Sequence, residues 1–197
     1  MPDRTWDETI GRYRSHGQVV APRTIRTALD TALDGAAAEV RAVTQQLIDR
    51  EIGLAAWQTA VEAELVPAHL AATALAHGGL AALTADEMAE ATARLDRELS
   101  YLDRLAQDLA DSTVPLDGRL LPRLEQYAQA PRFTYEEGAR TEDDDHGWAE
   151  EQNVPESAHS CADCAAATAA GWQPLGTLSL PGERECAGNC RCTIERR

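Results

Sequence analysis

The chain has 197 residues, of which 44% are hydrophobic and 26% are charged, and its formal net charge is −15. This composition is typical of one sizeable globular domain, or of one domain and a small module. The excess of carboxylates argues against a protein that coats DNA, which requires clustered cations. No apolar run approaches the roughly 18 residues that span a bilayer, and the N-terminus lacks the apolar core of a signal peptide. We therefore expect no membrane partner.

The first half of the chain predicts helices. Residues 1–23 show no apolar period, and we expect an irregular, flexible N-terminal segment there. A first helix is predicted over residues 24–50, because apolar residues recur at spacings of three and four. Its stripe comprises Ile25, Leu29, Leu33, Ala36, Val40, Val43 and Leu47. After Gly53 a second stripe covers residues 54–75, and Pro67 should kink that helix.

A capping box predicts the start of the third helix. The Thr84 hydroxyl can accept from the amide three residues on, and Glu87 can reach back to the Thr84 amide. An apolar stripe then extends over residues 88–109. A fourth helical segment is predicted over residues 117–140, with a bend at Pro131. Together these elements predict a mainly α domain over residues 24–140, folded as an antiparallel bundle of long helices.

An acidic stretch follows the helices. Nine carboxylates lie between Thr134 and Glu156, against one cation, Arg140. We expect residues 141–158 to form a solvated acidic linker. A carboxylate metal site and a docking strip for a basic partner are the alternatives. The stretch lacks the spaced ligands and the glycine of a calcium loop.

The cysteines are confined to the end of the chain, at Cys161, Cys164, Cys186, Cys190 and Cys192. The first two form a C-x2-C pair, which is typical of a zinc knuckle, and two of the later three can complete a tetrahedral site. His159 is an alternative ligand for one of the four positions. One structural Zn²⁺ would stabilise a small, loop-rich, zinc-knuckle-like module over residues 159–197, which has few large apolar side chains. Metal-free thiols, a reversible disulfide, a catalytic thiol and a redox dithiol are the alternatives.

Enzymatic motifs are absent from the sequence. It contains no HExxH, GxSxG or Walker sequence, and its five histidines form no ligand pair at helical spacing. We therefore predict no catalytic residues, with a zinc hydrolase or a thiol redox enzyme as the alternative. A regulatory zinc-containing binding module is a further alternative, because four arginines near the C-terminus could contact DNA or an acidic partner. We expect these four to be solvated: Arg184, Arg191, Arg196 and Arg197.

The order of the C-terminal motifs, namely CADC, then GW-P-G-L-PG, then CAGNCRC, resembles the C-terminal module of the Mu F-like head morphogenesis proteins of tailed phages. Cys161 and Cys164 match the first pair of that module, and Cys190-Arg191-Cys192 matches its CRC. Cys186 stands roughly where many members have a histidine. In the helical part, the likeness extends to Gly53-x3-Trp57, Gly78-Gly79 and Arg123-x3-Tyr127, so that it covers roughly residues 24–197.

The resemblance implies a function. Such proteins are non-enzymatic minor virion components that act near the portal during head assembly and genome packaging or delivery. The implied partners are the portal or other head proteins, DNA only indirectly, and further copies of the chain within the virion. The implied location is the head–connector region of the virion, and the host cytoplasm during assembly.

Overall fold

The computed structural model describes residues 3–155, 160–186, 190 and 192–197, and it is mainly α-helical, as the sequence predicted. Long helices fill most of the chain up to residue 145. They are α1 (Pro22–Ile48), α2 (Leu54–Ala76), α3 (Ala85–Ala110), α4 (Leu120–Gln129) and α5 (Pro131–Asp145). Among the described helices, none is both long and apolar enough to cross a membrane.

Helices α1 and α2 bury the stripes that their spacing predicts. In α1 the buried apolar residues are Ile25, Leu29, Leu33, Ala36, Val40 and Leu47. Pro22 is the first residue of α1, where a missing amide costs no hydrogen bond. Gly53 is the N-cap of α2 rather than the end of α1. Arg50 between them has a φ of 62°, a left-handed conformation that turns the chain.

Two buried clusters form the core, and α1 contributes to both. One contains Val40 and Leu47 of α1 together with Trp57, Leu65 and apolar residues of α3 and α4. The other contains the N-terminal half of α1, the C-terminal half of α2, and Tyr135 of α5. Each cluster therefore joins helices that are distant in sequence.

Helix α3 differs from its predicted stripe. The capping box is confirmed, with hydrogen bonds between Thr84 and Glu87 in both directions. However, the buried residues of α3 are confined to Leu102, Leu105 and Ala106, whereas Met88 is 39% exposed. The first half of this helix extends beyond the core, so its apolar period does not mark a buried face there.

The fourth predicted segment is two helices. Ala130 separates α4 from α5, and Pro131 is the first residue of α5. Because proline cannot donate an amide hydrogen bond, α4 ends before it and a new helix begins with it. Helix α5 continues to Asp145, so the predicted boundary at residue 140 falls within a helix.

The expectation of an irregular N-terminal segment is wrong for the residues described. β1 (Thr5–Asp7), β2 (Arg12–Ser15) and β3 (Gln18–Val19) form an antiparallel sheet. The Arg4 amide donates to the Gly78 carbonyl at 2.7 Å, and the Trp6 ring stacks on His146 with 3.8 Å between centroids. Polar and ring contacts of this kind do not require apolar residues at a regular spacing. The sequence pattern therefore does not reveal this sheet.

Most of the described part of the predicted acidic linker, residues 141–155, is regular structure rather than a linker. α5 covers its first residues, and β4 (Glu150–Val154) is the central strand of a second sheet. β4 pairs antiparallel with β5 (Gln173–Pro174) and with β6 (Thr193–Arg196), and α6 (Ala162–Ala170) packs against it. The strand buries alternate polar side chains, Glu151 and Asn153.

Candidate metal centre

The five cysteines converge between α6, the turn before residue 187 and the start of β6. Cys161 is the N-cap of α6, and its Sγ accepts a hydrogen bond from the Cys164 amide at 3.4 Å. An N-cap position requires an acceptor for the first amides of the helix, and here a sulfur supplies it. The C-x2-C spacing therefore places both thiols on the same helical turn.

The sulfur atoms are close enough to share an ion. The Cys164 Sγ lies 3.6 Å from the Cys186 Sγ and 3.7 Å from the Cys190 Sγ. Zn–S bonds of about 2.3 Å in a tetrahedron place sulfurs about 3.8 Å apart. All five residues are free thiols, and Cys164, Cys190 and Cys192 are buried. The spacing between these sulfurs is that of metal ligands and much longer than that of a disulfide.

Cys164 is the centre of the cluster. The sulfurs form two groups of three, and both groups contain Cys164. Within each group, all three sulfurs lie within 4.8 Å of one another. One group adds Cys161 and Cys186, and the other adds Cys190 and Cys192. The cluster could therefore hold a metal ion, and every arrangement of ligands that this geometry favours includes Cys164.

Cys164 also differs from Cys186 and Cys192 in the direction of its pKa shift. Burial raises the pKa of Cys164, but hydrogen bonds from Arg184 and from neighbouring thiols outweigh burial and lower that pKa to about 7. The Arg184 guanidinium lies 3.6 Å from the Cys164 Sγ. Burial raises the pKa of Cys192 to about 12, and burial together with neighbouring thiols raises the pKa of Cys186. A bound divalent ion would deprotonate its thiol ligands, because it supplies the opposite charge.

A polar network supports the cluster from β4. The Asn153 side-chain amide donates to the Cys164 carbonyl at 3.3 Å and to the Thr168 hydroxyl at 2.8 Å. The Arg184 guanidinium donates to the side-chain Oδ1 of Asn153 and, at 2.9 Å, to the Ser179 backbone carbonyl. These outer contacts fix the turn that carries Cys164, as such contacts do around metal ligands in general. Asn153 and Thr168 carry no sequence motif and were not predicted.

The predicted solvated arginines are not all solvated. Arg184 is buried against the cluster, and the Arg196 side chain is 5% exposed. Arg196 lies 2.8 Å from a Glu136 oxygen, 3.5 Å from an Asp143 oxygen and 3.8 Å from a Glu151 oxygen. Sequence reasoning missed this because the carboxylates lie in α5 and β4, 45 or more residues before Arg196. Arg197 stays on the surface, paired with Glu150.

Comparison with known proteins does not assign the site. No protein-family model, no curated protein and no solved structure matches the chain. The chemistry of the cluster therefore carries the functional conclusion. His159 and Arg191, named above as a competing ligand and as part of the CRC motif, lie outside the described residues.

A second group of ligand-type side chains was not predicted. The His77 Nδ1 lies 3.1 Å from a Glu87 oxygen and 2.8 Å from a Glu142 oxygen. The Tyr13 hydroxyl donates to the other Glu142 oxygen at 3.1 Å. Hydrogen bonding to His77 lowers the pKa of Glu142. These residues come from β2, the end of α2, the start of α3 and α5, so no local spacing reveals them.

Proposed function

We propose that the cysteine cluster binds one structural Zn²⁺ through Cys161, Cys164, Cys186 and Cys190. A set of thiolates is a soft donor set that selects zinc among the abundant divalent ions. Cys161 and Cys164 have the spacing of a zinc knuckle, and the sulfurs of Cys186 and Cys190 lie 3.6 and 3.7 Å from the Cys164 sulfur, which are zinc-site distances. Cys192 interacts with the Asn153 side chain, which supports its role as the fifth, non-ligating cysteine.

A structural role fits this donor set better than a catalytic one. Catalytic zinc sites keep one position open for water and place a general acid or base beside it. Here sulfur atoms are numerous enough to fill four positions, and the two groups of close ligands contain no histidine or carboxylate of the described chain. We therefore assign no catalytic residue.

The ligand set is tested by two matched substitutions. Cys190→Ser should lower bound zinc from one equivalent to well below one, measured by elemental analysis of the purified reduced protein. Cys192→Ser, which removes the other buried cysteine of the Cys190-Arg191-Cys192 motif, should retain one equivalent. Zinc retained in Cys190→Ser and lost in Cys192→Ser would reverse the assignment of these two residues.

We further infer that the protein is a non-enzymatic minor head protein of a tailed phage or prophage, acting near the portal. The observation that supports this inference is the order of motifs CADC, GW-P-G-L-PG and CAGNCRC over the candidate metal centre. In this proposal the helices form an antiparallel bundle that serves as the assembly surface, and the zinc module holds its C-terminal end. Other head proteins and copies of the chain are the proposed partners, within the virion and in the host cytoplasm during assembly.

The function is tested by assembly. The protein should co-sediment with proheads or with the portal when expressed together with the head genes of its phage. A Cys164→Ser variant should lose this association if the zinc module holds the assembly surface in place. Absence from both proheads and mature particles would contradict the proposal without affecting the zinc assignment.

A thiol redox enzyme is the second candidate, favoured by the low pKa of Cys164 and its two sulfur neighbours. Such an enzyme would reduce disulfide substrates in an insulin-reduction assay and would lose this activity in Cys164→Ser. We expect no activity above that of this variant, because thiolates bound to zinc are withdrawn from exchange.

A further inference from the structure

A cavity of about 660 Å³ lies between the helical part and the cysteine module. Its wall includes residues of α3, α4 and α5, the loop at Pro181, and Cys190. This volume is within the range of pockets that hold small organic ligands. The cavity adjoins the sulfur cluster. Cys190 belongs to the cluster and also lines the cavity.

Arginines are concentrated on this wall, although the chain is strongly acidic. Arg94 and Arg97 come from α3, Arg123 from α4 and Arg132 from α5. Two carboxylates, Glu98 and Glu183, share the wall with these four cations. Guanidinium groups bind phosphate through paired N–H donors, which makes such a wall suited to a phosphorylated ligand.

The four arginines differ in their surroundings. Arg132 donates to an Asp30 oxygen at 2.6 Å, and Arg94 forms an ion pair with Glu137. Arg97 and Arg123 are exposed at the rim of the cavity. The inner arginines are thus held by carboxylates. Of the outer two, Arg97 interacts electrostatically with Glu98 and Arg123 donates a hydrogen bond to the Tyr127 hydroxyl, and both remain exposed to an incoming anion.

Buried polar atoms on the same wall find no hydrogen-bond partner among the described residues. They are the His69 Nε2, the Gln129 Oε1 and the Arg132 Nε. These residues are at most 7% exposed, and a buried polar atom without a partner costs stability. Burial and the nearby Arg94 charge lower the pKa of His69 to about 4, so its ring is neutral at pH 7. Unsatisfied donor and acceptor atoms therefore lie directly behind the cavity wall.

Aromatic side chains supply a flat apolar surface. Tyr101, Tyr127 and Phe133 line the cavity, and Tyr101 is 43% exposed. The Arg94 guanidinium lies 5.7 Å from the centroid of the Phe133 ring. Rings and guanidinium planes are the surfaces on which nucleobases stack.

We propose that this cavity binds a nucleotide, with its phosphate at Arg97 and Arg123 and its base among the aromatic rings. The heteroatoms of a base include both donors and acceptors, which is the mixture that the unpaired buried atoms of His69, Gln129 and Arg132 present behind the cavity surface. A phosphate alone would leave the aromatic surface and the Gln129 acceptor unused. The nucleotide is either free or the end of a single DNA strand, since both present the same groups. This proposal does not depend on the proposed function.

Binding is tested by calorimetry on the full-length protein as purified under reducing conditions. AMP is the free-nucleotide probe, and a four-residue deoxyadenosine oligonucleotide with a 5′-phosphate is the strand probe. At least one of them should bind, and the tighter of the two identifies the source. Adenosine and inorganic phosphate should each bind at least tenfold more weakly. No binding of either nucleotide probe at millimolar concentration would overturn the proposal, as would adenosine or phosphate binding as tightly as AMP.

Variants locate the site. The double variant Arg97→Gln/Arg123→Gln should weaken binding at least tenfold, while its thermal midpoint stays within a few degrees of the parent because both residues are exposed. Arg119→Gln removes the same kind of charge one helical turn before Arg123, at an exposed position that does not line the cavity, and should change binding less than twofold. Equal binding by the parent and the double variant would overturn the assignment of the phosphate to these arginines.

Discussion

The helical part and the cysteine module are built on different interactions. The helical core contains large, fully buried side chains such as Trp57, Leu65 and Leu102. The module instead has a buried cluster of Cys164, Cys190 and Cys192, with two further cysteines packed against it. Burial of apolar area contributes about 25 cal/mol per Å² and can stabilise the first region alone. The second region has little such area, and its clustered cysteines could hold a metal ion.

The contact between the two regions is polar. Arg140 donates two hydrogen bonds of 3.1 Å to the carboxylate of Glu151, which is fully buried. Arg196 joins β6 to Glu136 of α5, and Arg26 of α1 donates to the Ile194 carbonyl at 2.9 Å. In the sequence these acidic residues resemble a linker. In the structure they form the joint, that is, the polar contact between the hydrophobic core of the helices and the cysteine cluster.

Removal of the metal should have the largest effect and should separate the two regions. Structural zinc contributes on the order of 10 kcal/mol to the folding of small modules. Cys164→Ser, or a strong chelator, should make the chain after residue 160 sensitive to protease while the helical signal in circular dichroism is largely retained. Limited proteolysis with mass spectrometry measures this. A module that stays resistant in chelator would show that the two regions do not differ as described.

Breaking the joint should have the next largest effect. Glu151→Gln leaves Arg140 without its buried carboxylate, and such a loss costs about 3–5 kcal/mol. The thermal midpoint should then fall by on the order of 10 °C relative to the parent. The control is Glu150→Gln, whose side chain is 44% exposed and pairs with Arg197 at the surface. It should cost no more than about 1 kcal/mol.

A cavity in the helical core should weaken that region without affecting metal binding. Leu102 is fully buried, and Leu102→Ala should lower the free energy of unfolding by about 2–5 kcal/mol in urea titrations. Bound zinc should remain at one equivalent. Leu80→Ala, at a position 60% exposed, should change stability by less than about 0.5 kcal/mol. Loss of zinc in Leu102→Ala would mean that the regions fold as one unit.

The joint should also depend on pH through Asp143. Burial raises its pKa from 3.8 to about 6, while Arg196 opposes the shift only in part. A carboxyl whose folded pKa is raised stabilises the fold at low pH, and this contribution is lost as the pH rises from about 4 to 6. At pH 8, Asp143→Asn should therefore raise the free energy of unfolding by on the order of 2–3 kcal/mol, and the thermal midpoint with it. At pH 4 it should change neither. The control is the exposed neighbour variant Asp144→Asn, which should change stability by less than about 0.5 kcal/mol.

The smallest expected effect is local to one helix. Thr84→Ala removes the side-chain acceptor of the capping box and should cost about 1 kcal/mol in urea titrations. Thr92→Ala, at an exposed position of the same helix, should stay within about 0.5 kcal/mol. Zinc content should be unchanged in both variants. A cost for Thr92→Ala equal to that for Thr84→Ala would assign the loss to the helix interior instead of the cap.

The sequence by itself determined what depends on neighbours along the chain. Apolar spacing defined α1 and α2, the Thr84–Glu87 pair defined the start of α3, and the C-x2-C spacing placed two thiols on one turn. Each of these features involves residues within one or two helical turns. Side chains at such separations meet through backbone geometry alone, so their pattern is visible in the sequence.

Only the tertiary structure decided which polar residues are buried together. The Arg196 ion pair with Glu136 spans 60 residues, the Arg26 bond to the Ile194 carbonyl spans 168, and His77 meets Glu142 across 65. No period or spacing encodes such contacts, because they depend on how whole helices and strands pack. For the same reason the sequence identified five candidate ligands, whereas packing made Cys164 the thiol that all the others surround.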